Sequence, residues 1–225
     1  MKYLDEEMQP APYYEDRHKY IGEINIADGI VDVTDPCYED DTWCARFGMK
    51  IKPGIYKCYV DVINFPAKAL CEEGDYFLFA EGFRPDDIIE QDDHRIMNLT
   101  IVHQDSDYPD EFELIDENIG VDAGLCGFYN HKPSFKEDRE WDSFWQSLDK
   151  YKHCSCDCGT GNGVTVSSGF GDGVYCLFGA KNTNDEIIAL KLDFNDDAPD
   201  EDSYADEYEY WGDTLWILLL QIRFM

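Results

Sequence analysis

Positive charge is what this sequence has least of. Eighteen Lys and Arg stand against 49 Asp and Glu, leaving a formal net charge of −31 over 225 residues. Phosphate backbones are bound through Lys and Arg, so direct nucleic-acid binding is not expected. Anionic membrane surfaces are repelled for the same reason. Long apolar runs are also missing. The longest is Leu215 to Leu220, far short of the roughly 20 residues that span a bilayer. Residues Met1 to Tyr20 hold no apolar stretch and no small-residue cleavage site, so no secretory leader is expected and the chain reads as cytoplasmic.

Catalytic signatures are sparse as well. None of the histidines His18, His94, His103, His131 and His153 sits in a nucleophile elbow, and no G-x-S-x-G is present. Gly159-Thr160-Gly161-Asn162-Gly163 has neither a Walker lysine nor a strand before it and a helix after it. An unrecognised hydrolase, with an acid and base from Asp residues or His131, is the weakest of the functional alternatives.

Aromatic residues are plentiful: 13 Phe, 15 Tyr and 5 Trp, in a chain 44% hydrophobic. Acidic disordered chains lack such material, so the composition predicts one folded domain with an acidic coat. That coat attracts basic proteins and cations. Nine cysteines is an odd number, and Cys58, Cys71, Cys126 and Cys176 lie among apolar neighbours. They read as reduced, buried thiols.

Alternation and turn residues predict a mainly β fold, a β-sandwich or β-roll of antiparallel sheets. Strands are expected at Ile21–Ile26 and Ile30–Val33, joined as a hairpin by Ala27-Asp28-Gly29. Others are expected at Ile55–Ile63, Tyr76–Phe79, Ile96–Val102, Ile119–Tyr129, Val164–Val166, Val174–Phe178 and Ile187–Phe194, the last two joined by the polar loop Lys181 to Asp185. Trp141, Phe144, Trp145 and Leu148 fall on one helical face, predicting an amphipathic helix near 137–152, with Ser134 and Glu137 matching a capping box. The organisation expected is a polar arm over 1–20, the β domain over 21–194, and an acidic loop with an apolar strand over 195–225.

Three constellations are candidate sites. Asp35, Asp122 and Asp172 lie beside Pro or Gly and away from the acidic runs. Such residues make turns with their own backbone, and together they are a candidate ligand or divalent-cation site. His153, Cys154, Cys156 and Cys158 are a candidate metal site, although C-x-C-x-C lacks the second pair of a structural zinc site. No other cofactor is expected. Asp200, Glu201, Asp202, Tyr204, Asp206, Glu207, Tyr208, Tyr210 and Trp211 form an acidic-aromatic stretch suited to a basic protein partner. The acidic coat opposes self-association, so a monomer or weak homodimer is expected.

The motifs Thr34-Asp35-Pro36, Lys52-Pro53-Gly54-Ile55-Tyr56, Val121-Asp122-Ala123-Gly124, Ser167 to Tyr175 and Ile188 to Phe194 occur in that order. In this the chain resembles, over about residues 21–194, the bacterial and phage-associated family called domain of unknown function 4241. The resemblance implies a single mainly β domain from a bacterial or mobile-element genome and implies no activity. The leading functional expectation is a non-enzymatic protein that neutralises a basic partner, as immunity proteins and phage anti-defence proteins do.

Overall fold

A computed structural model describes residues 2–3, 9–39, 42–74, 78, 80, 82–132, 134–135, 137–147, 155–157 and 162–195. Among the described residues twelve strands are formed: β1 (Lys2–Tyr3), β2 (Tyr13–Ile26), β3 (Ile30–Thr34), β4 (Arg46–Lys50), β5 (Gly54–Leu70), β6 (Ile88–His103), β7 (Glu113–Val121), β8 (Leu125–Tyr129), β9 (Ser155–Asp157), β10 (Asn162–Ser167), β11 (Gly173–Lys181) and β12 (Ile187–Asp193), with the helix α1 (Asp138–Ser147) between β8 and β9. The fold is mainly β and antiparallel. Among the described residues no helix is long and apolar enough to cross a membrane.

Two compact units divide the chain. The larger comprises Tyr13–Asn64 and His94–Asp196. Its first sheet runs β2-β5-β6-β12-β11-β7, and its second runs β4-β3-β8-β10-β9. Alternate residues from both sheets meet in one buried cluster. Ile24, Tyr56, Val60, Leu99, Ile101, Leu177, Leu190 and Leu192 come from the first, and Val31, Val33, Cys126, Phe128, Val164 and Val166 from the second. Period-two burial of this kind is what closes two sheets into a sandwich. The smaller unit takes in the described residues of Met1–Pro12 and Phe65–Asp93. There β1 pairs with Ala69 and Leu70, and the Gln9 side chain grips the Lys68 backbone, donating to its carbonyl at 2.9 Å and accepting its N–H at 2.7 Å.

Several expectations are corrected by tertiary context. Ala27-Asp28-Gly29 does turn the chain, with Gly29 at φ +70°, but it joins no hairpin. β2 pairs with β5, whereas β3 pairs with β4 and β8 in the other sheet. Both flanking strands are apolar on the face that lines the shared core, so the turn carries the chain from one sheet to the other. Ile119–Tyr129 is broken into β7 and β8 at residues 122–124, again between sheets. Of Tyr76–Phe79, expected as a strand, only Leu78 is among the described residues; it and Ala80 have helical backbone, and the Phe83 N–H closes on the Leu78 carbonyl at 3.1 Å. Residues 13–20, read as part of a polar arm, extend β2. The Lys181–Asp185 loop does join a paired hairpin, β11 with β12.

The helix starts at Asp138, so Ser134 and Glu137 do not cap it as a box. Its apolar face works as expected. Phe144 is buried with Leu125 and Tyr129, and Phe135 and Trp141 pack around it. Leu148, residues 151–154 and 158–161, and the acidic-aromatic stretch after Asn195 lie outside the described residues.

Candidate functional site

Asp35 follows β3 directly and is completely buried. Its Oδ1 accepts the Cys37 N–H at 2.8 Å, the local turn that Asp beside Pro favours. Its Oδ2 accepts two further N–H groups from a distant corner, those of Asp122 at 2.8 Å and Ala123 at 2.7 Å. The Asp35 carbonyl accepts the Tyr38 N–H at 3.2 Å and the Thr34 hydroxyl at 2.9 Å. One carboxylate therefore holds the start of the 35–45 loop to the point where the chain leaves β7 for β8. Three N–H donors on a buried carboxylate make strong, charge-assisted bonds.

The third Asp motif closes on the same corner. Ser168 donates its N–H to the Gly124 carbonyl at 3.1 Å and its hydroxyl to the Gly171 carbonyl at 2.6 Å. The Tyr175 hydroxyl lies 2.8 Å from the Gly171 carbonyl and 3.0 Å from that of Ser168. A Cβ placed on Gly124 would stand 4.0 Å from Asp172 Oδ1. The structure thus brings the three Asp motifs together around residues 122–124, but in unequal roles. Asp35 is a buried anchor, whereas Asp122 and Asp172 are exposed. Asp122 contributes its backbone to the anchor, leaving its carboxylate in solvent. Among the described residues no three His, Cys, Asp or Glu side chains converge in a metal-binding group.

Thiols and a phenol surround the anchor. Cys44 is buried against β7, where its carbonyl accepts the Gly120 N–H at 2.8 Å. Gly120 is required by that contact, since a Cβ there would lie 2.5 Å from Cys44 Sγ. Loss of hydration pushes the Cys126 thiol far above the ordinary range, with the Asp35 charge adding to it. Cys37 is exposed as a residue, yet its sulfur is shielded on one side and bonds to the Asp35 carboxylate. Desolvation first, then that bond and the charges of Asp35 and Asp122, push its thiol up to about 12. The Tyr38 phenol is raised by burial and by its bond to Cys44. The Cys37 and Cys126 thiols stay neutral where a nucleophile or metal ligand must be a thiolate.

The thiols set an alkaline limit on stability. A group whose folded pKa lies above its unfolded value favours the folded state fully below the unfolded pKa, and that benefit fades as pH rises towards the folded value. Thermal melting is therefore expected to hold up to about pH 9, the ordinary thiol value, and fall above it. Alkylation of Cys37 in the native protein at pH 8 is expected to run at least about tenfold slower than that of an ordinary exposed thiol, because the raised pKa cuts the share of thiolate. Mass-spectrometric mapping of iodoacetamide adducts checks both the rate and the position.

A second polar constellation lies on the outer face of the larger sheet, and motif reasoning missed it. Asp61 of β5 is buried; its Oδ1 accepts the His18 N–H at 2.5 Å and its Oδ2 accepts the Asn98 amide at 2.8 Å. His18 sits at a bulge of β2 with φ +50° and stacks on Tyr108, ring centres 4.0 Å apart. The Tyr108 hydroxyl donates to Thr100 at 3.1 Å, fixing the 104–112 loop to the sheet. The signal was a carboxylate inside the apolar run Cys58 to Ile63. His153, Cys154 and Cys158 lie outside the described residues; Cys156 falls in the short strand β9.

Fold and site define an antiparallel β-sandwich in which the most conspicuous carboxylate is a backbone anchor. No protein-family model, no curated protein and no solved structure matches the chain.

Proposed function

We propose that the chain is a non-enzymatic acidic protein that binds and neutralises a basic protein partner, in the manner of an immunity protein or a phage protein that blocks a nucleic-acid-handling enzyme. The observation that carries this reading is where the negative charge sits. Among the acidic residues whose burial is described, Asp35 and Asp61 are the buried ones, and both accept backbone or amide hydrogen bonds. The other carboxylates of that set reach the surface of the folded domain. A field of one sign speeds encounter with an oppositely charged partner and makes the association salt-sensitive. Free thiols at Cys37, Cys44, Cys58, Cys71, Cys126 and Cys176 suit a reducing compartment such as a cytoplasm.

The test is co-purification from the native host at about 50 mM salt, where surface charge is weakly screened, followed by elution at about 0.5 M. A basic protein that binds at the lower salt and leaves at the higher is the expected result. Recovery of no basic protein under either condition would overturn the reading.

A further inference from the structure

The strand β7 ends its sheet, with β11 on one side. On its other side, among the described residues, the Gly120 N–H bonds the Cys44 carbonyl near one end, and the Arg46 side chain of β4 reaches Asp116. Among the described residues the stretch Glu113 to Asp116 has no paired strand there. β4 is likewise the end of its own sheet. Between these two edges runs a groove of about 510 Å³ whose lining includes Phe47, Met49, Leu114, Ile115 and Ile187. Leu114 is 55% exposed. A long edge with an open apolar side chain is a template for another strand.

The charge left unpaired beside this groove is negative. Residues 96–131 contain no Lys or Arg, and Asp107, Asp110, Glu111, Glu113 and Glu117 are exposed along the loop and strand. The two cations at the groove are already engaged: Arg46 pairs with Asp116, and Lys181 pairs with Asp185 at 2.7 Å. Glu111 and Glu117 form no ion pair with another described residue. A second copy of the chain would set one acidic edge against another.

We propose that the Glu113–Asp116 edge of β7 and the groove beside it receive an extended segment of the basic partner, added as a strand. The inference rests on the acidic-binding reading and deepens it by assigning the surface and the form of the ligand. Main-chain pairing along the edge supplies affinity. Alternate apolar side chains of the segment enter the groove against Leu114 and Phe47, and the Lys or Arg between them lie over Glu111, Glu113 and Glu117. Charge alone does not need this alternation, whereas strand addition does.

The experiment compares two synthetic decapeptides of equal charge, one alternating Lys with Val and the other Lys with Gly, titrated into the intact chain at low salt. The Lys-Val peptide is expected to bind at least about tenfold more tightly, with backbone amide shifts concentrated at Glu113–Asp116. Leu114→Arg and Glu113→Lys, each with unchanged melting temperature, should each remove most of that advantage. If the two peptides bind equally and Leu114→Arg changes nothing, the edge assignment falls while the acidic-partner reading stands. If neither peptide binds at low salt, the acidic-partner reading falls, and the edge assignment with it. Concentration-dependent dimerisation that Leu114→Arg abolishes would also overturn the proposal, by making a second copy the occupant.

Discussion

Replacing Asp35 by Ala is expected to destabilise the protein by about 3–5 kcal/mol, lowering the melting temperature by roughly 10 °C or more. The substitution leaves three N–H groups, of Cys37, Asp122 and Ala123, without the acceptor that a completely buried carboxylate gives them. Each stranded donor costs about 1–3 kcal/mol, and local relaxation recovers part of the sum. Asp35→Asn should fall between the two, because a single amide oxygen can serve Cys37 or the 122–123 pair but not both. Asp122→Ala and Asp172→Ala are the informative controls. Both side chains are exposed, and each change should stay within about 0.5 kcal/mol. Thermal melting of the four variants decides the matter. Equal losses at Asp35 and Asp122 would mean that the anchor is wrongly assigned.

Gly54→Ala is expected to cost about 2–4 kcal/mol through backbone strain and a steric clash. Gly54 has φ +148°, and a Cβ there would lie 2.4 Å from Nε2 of His103. The ring cannot easily yield. His103 is buried, its Nδ1 accepts the Asp105 N–H at 3.2 Å, and its Nε2 therefore carries the hydrogen that faces the Pro53 carbonyl at 3.2 Å. Tyr56 closes the site edge-on at 5.3 Å and donates its hydroxyl to the Lys52 carbonyl at 2.6 Å. Adding His103→Ala to Gly54→Ala should restore part of the loss, since removing the ring removes the clash. Denaturant unfolding of the two single variants and the double variant measures that coupling. Additive losses would contradict the contact.

These two sites explain why the Asp- and Gly-bearing motifs stand out in the sequence. Thr34-Asp35-Pro36, Lys52 to Tyr56, Val121 to Gly124 and Ser167 to Tyr175 each build a corner where the chain leaves or re-enters a sheet. Their turn residues were legible because turn chemistry is local. The Asx-type bond from Asp35 to the Cys37 N–H spans two residues, and Asp beside Pro announces it. The bonds from Asp35 to Asp122 and Ala123 span 87 and 88 residues, and no local pattern encodes them. Asp61 illustrates the same limit. Its place inside an apolar run marks it as unusual, but its partners His18 and Asn98 arrive on other strands.

Strand positions followed from alternation where one face of a strand meets the core, as in β11 and β12. Alternation failed where both sides of a break were apolar. Ile119 to Tyr129 is hydrophobic enough to read as one strand, yet Gly124 at φ +63° and the Asp35 anchor divide it between two sheets. Leu78, expected in a strand, has helical backbone for a related reason, because a short aromatic run has no period long enough to separate strand from helix.

By itself, then, the sequence determined the acidic character, the mainly β class and the residues that turn the chain, because composition, period and turn chemistry act over a few residues. Tertiary structure alone decided that Asp35 faces inward as an anchor while Asp122 and Asp172 face solvent. It also decided that β7 ends its sheet beside an apolar groove. Burial, edge position and groove lining depend on which distant strands become neighbours, and that is fixed only when two sheets close on one core.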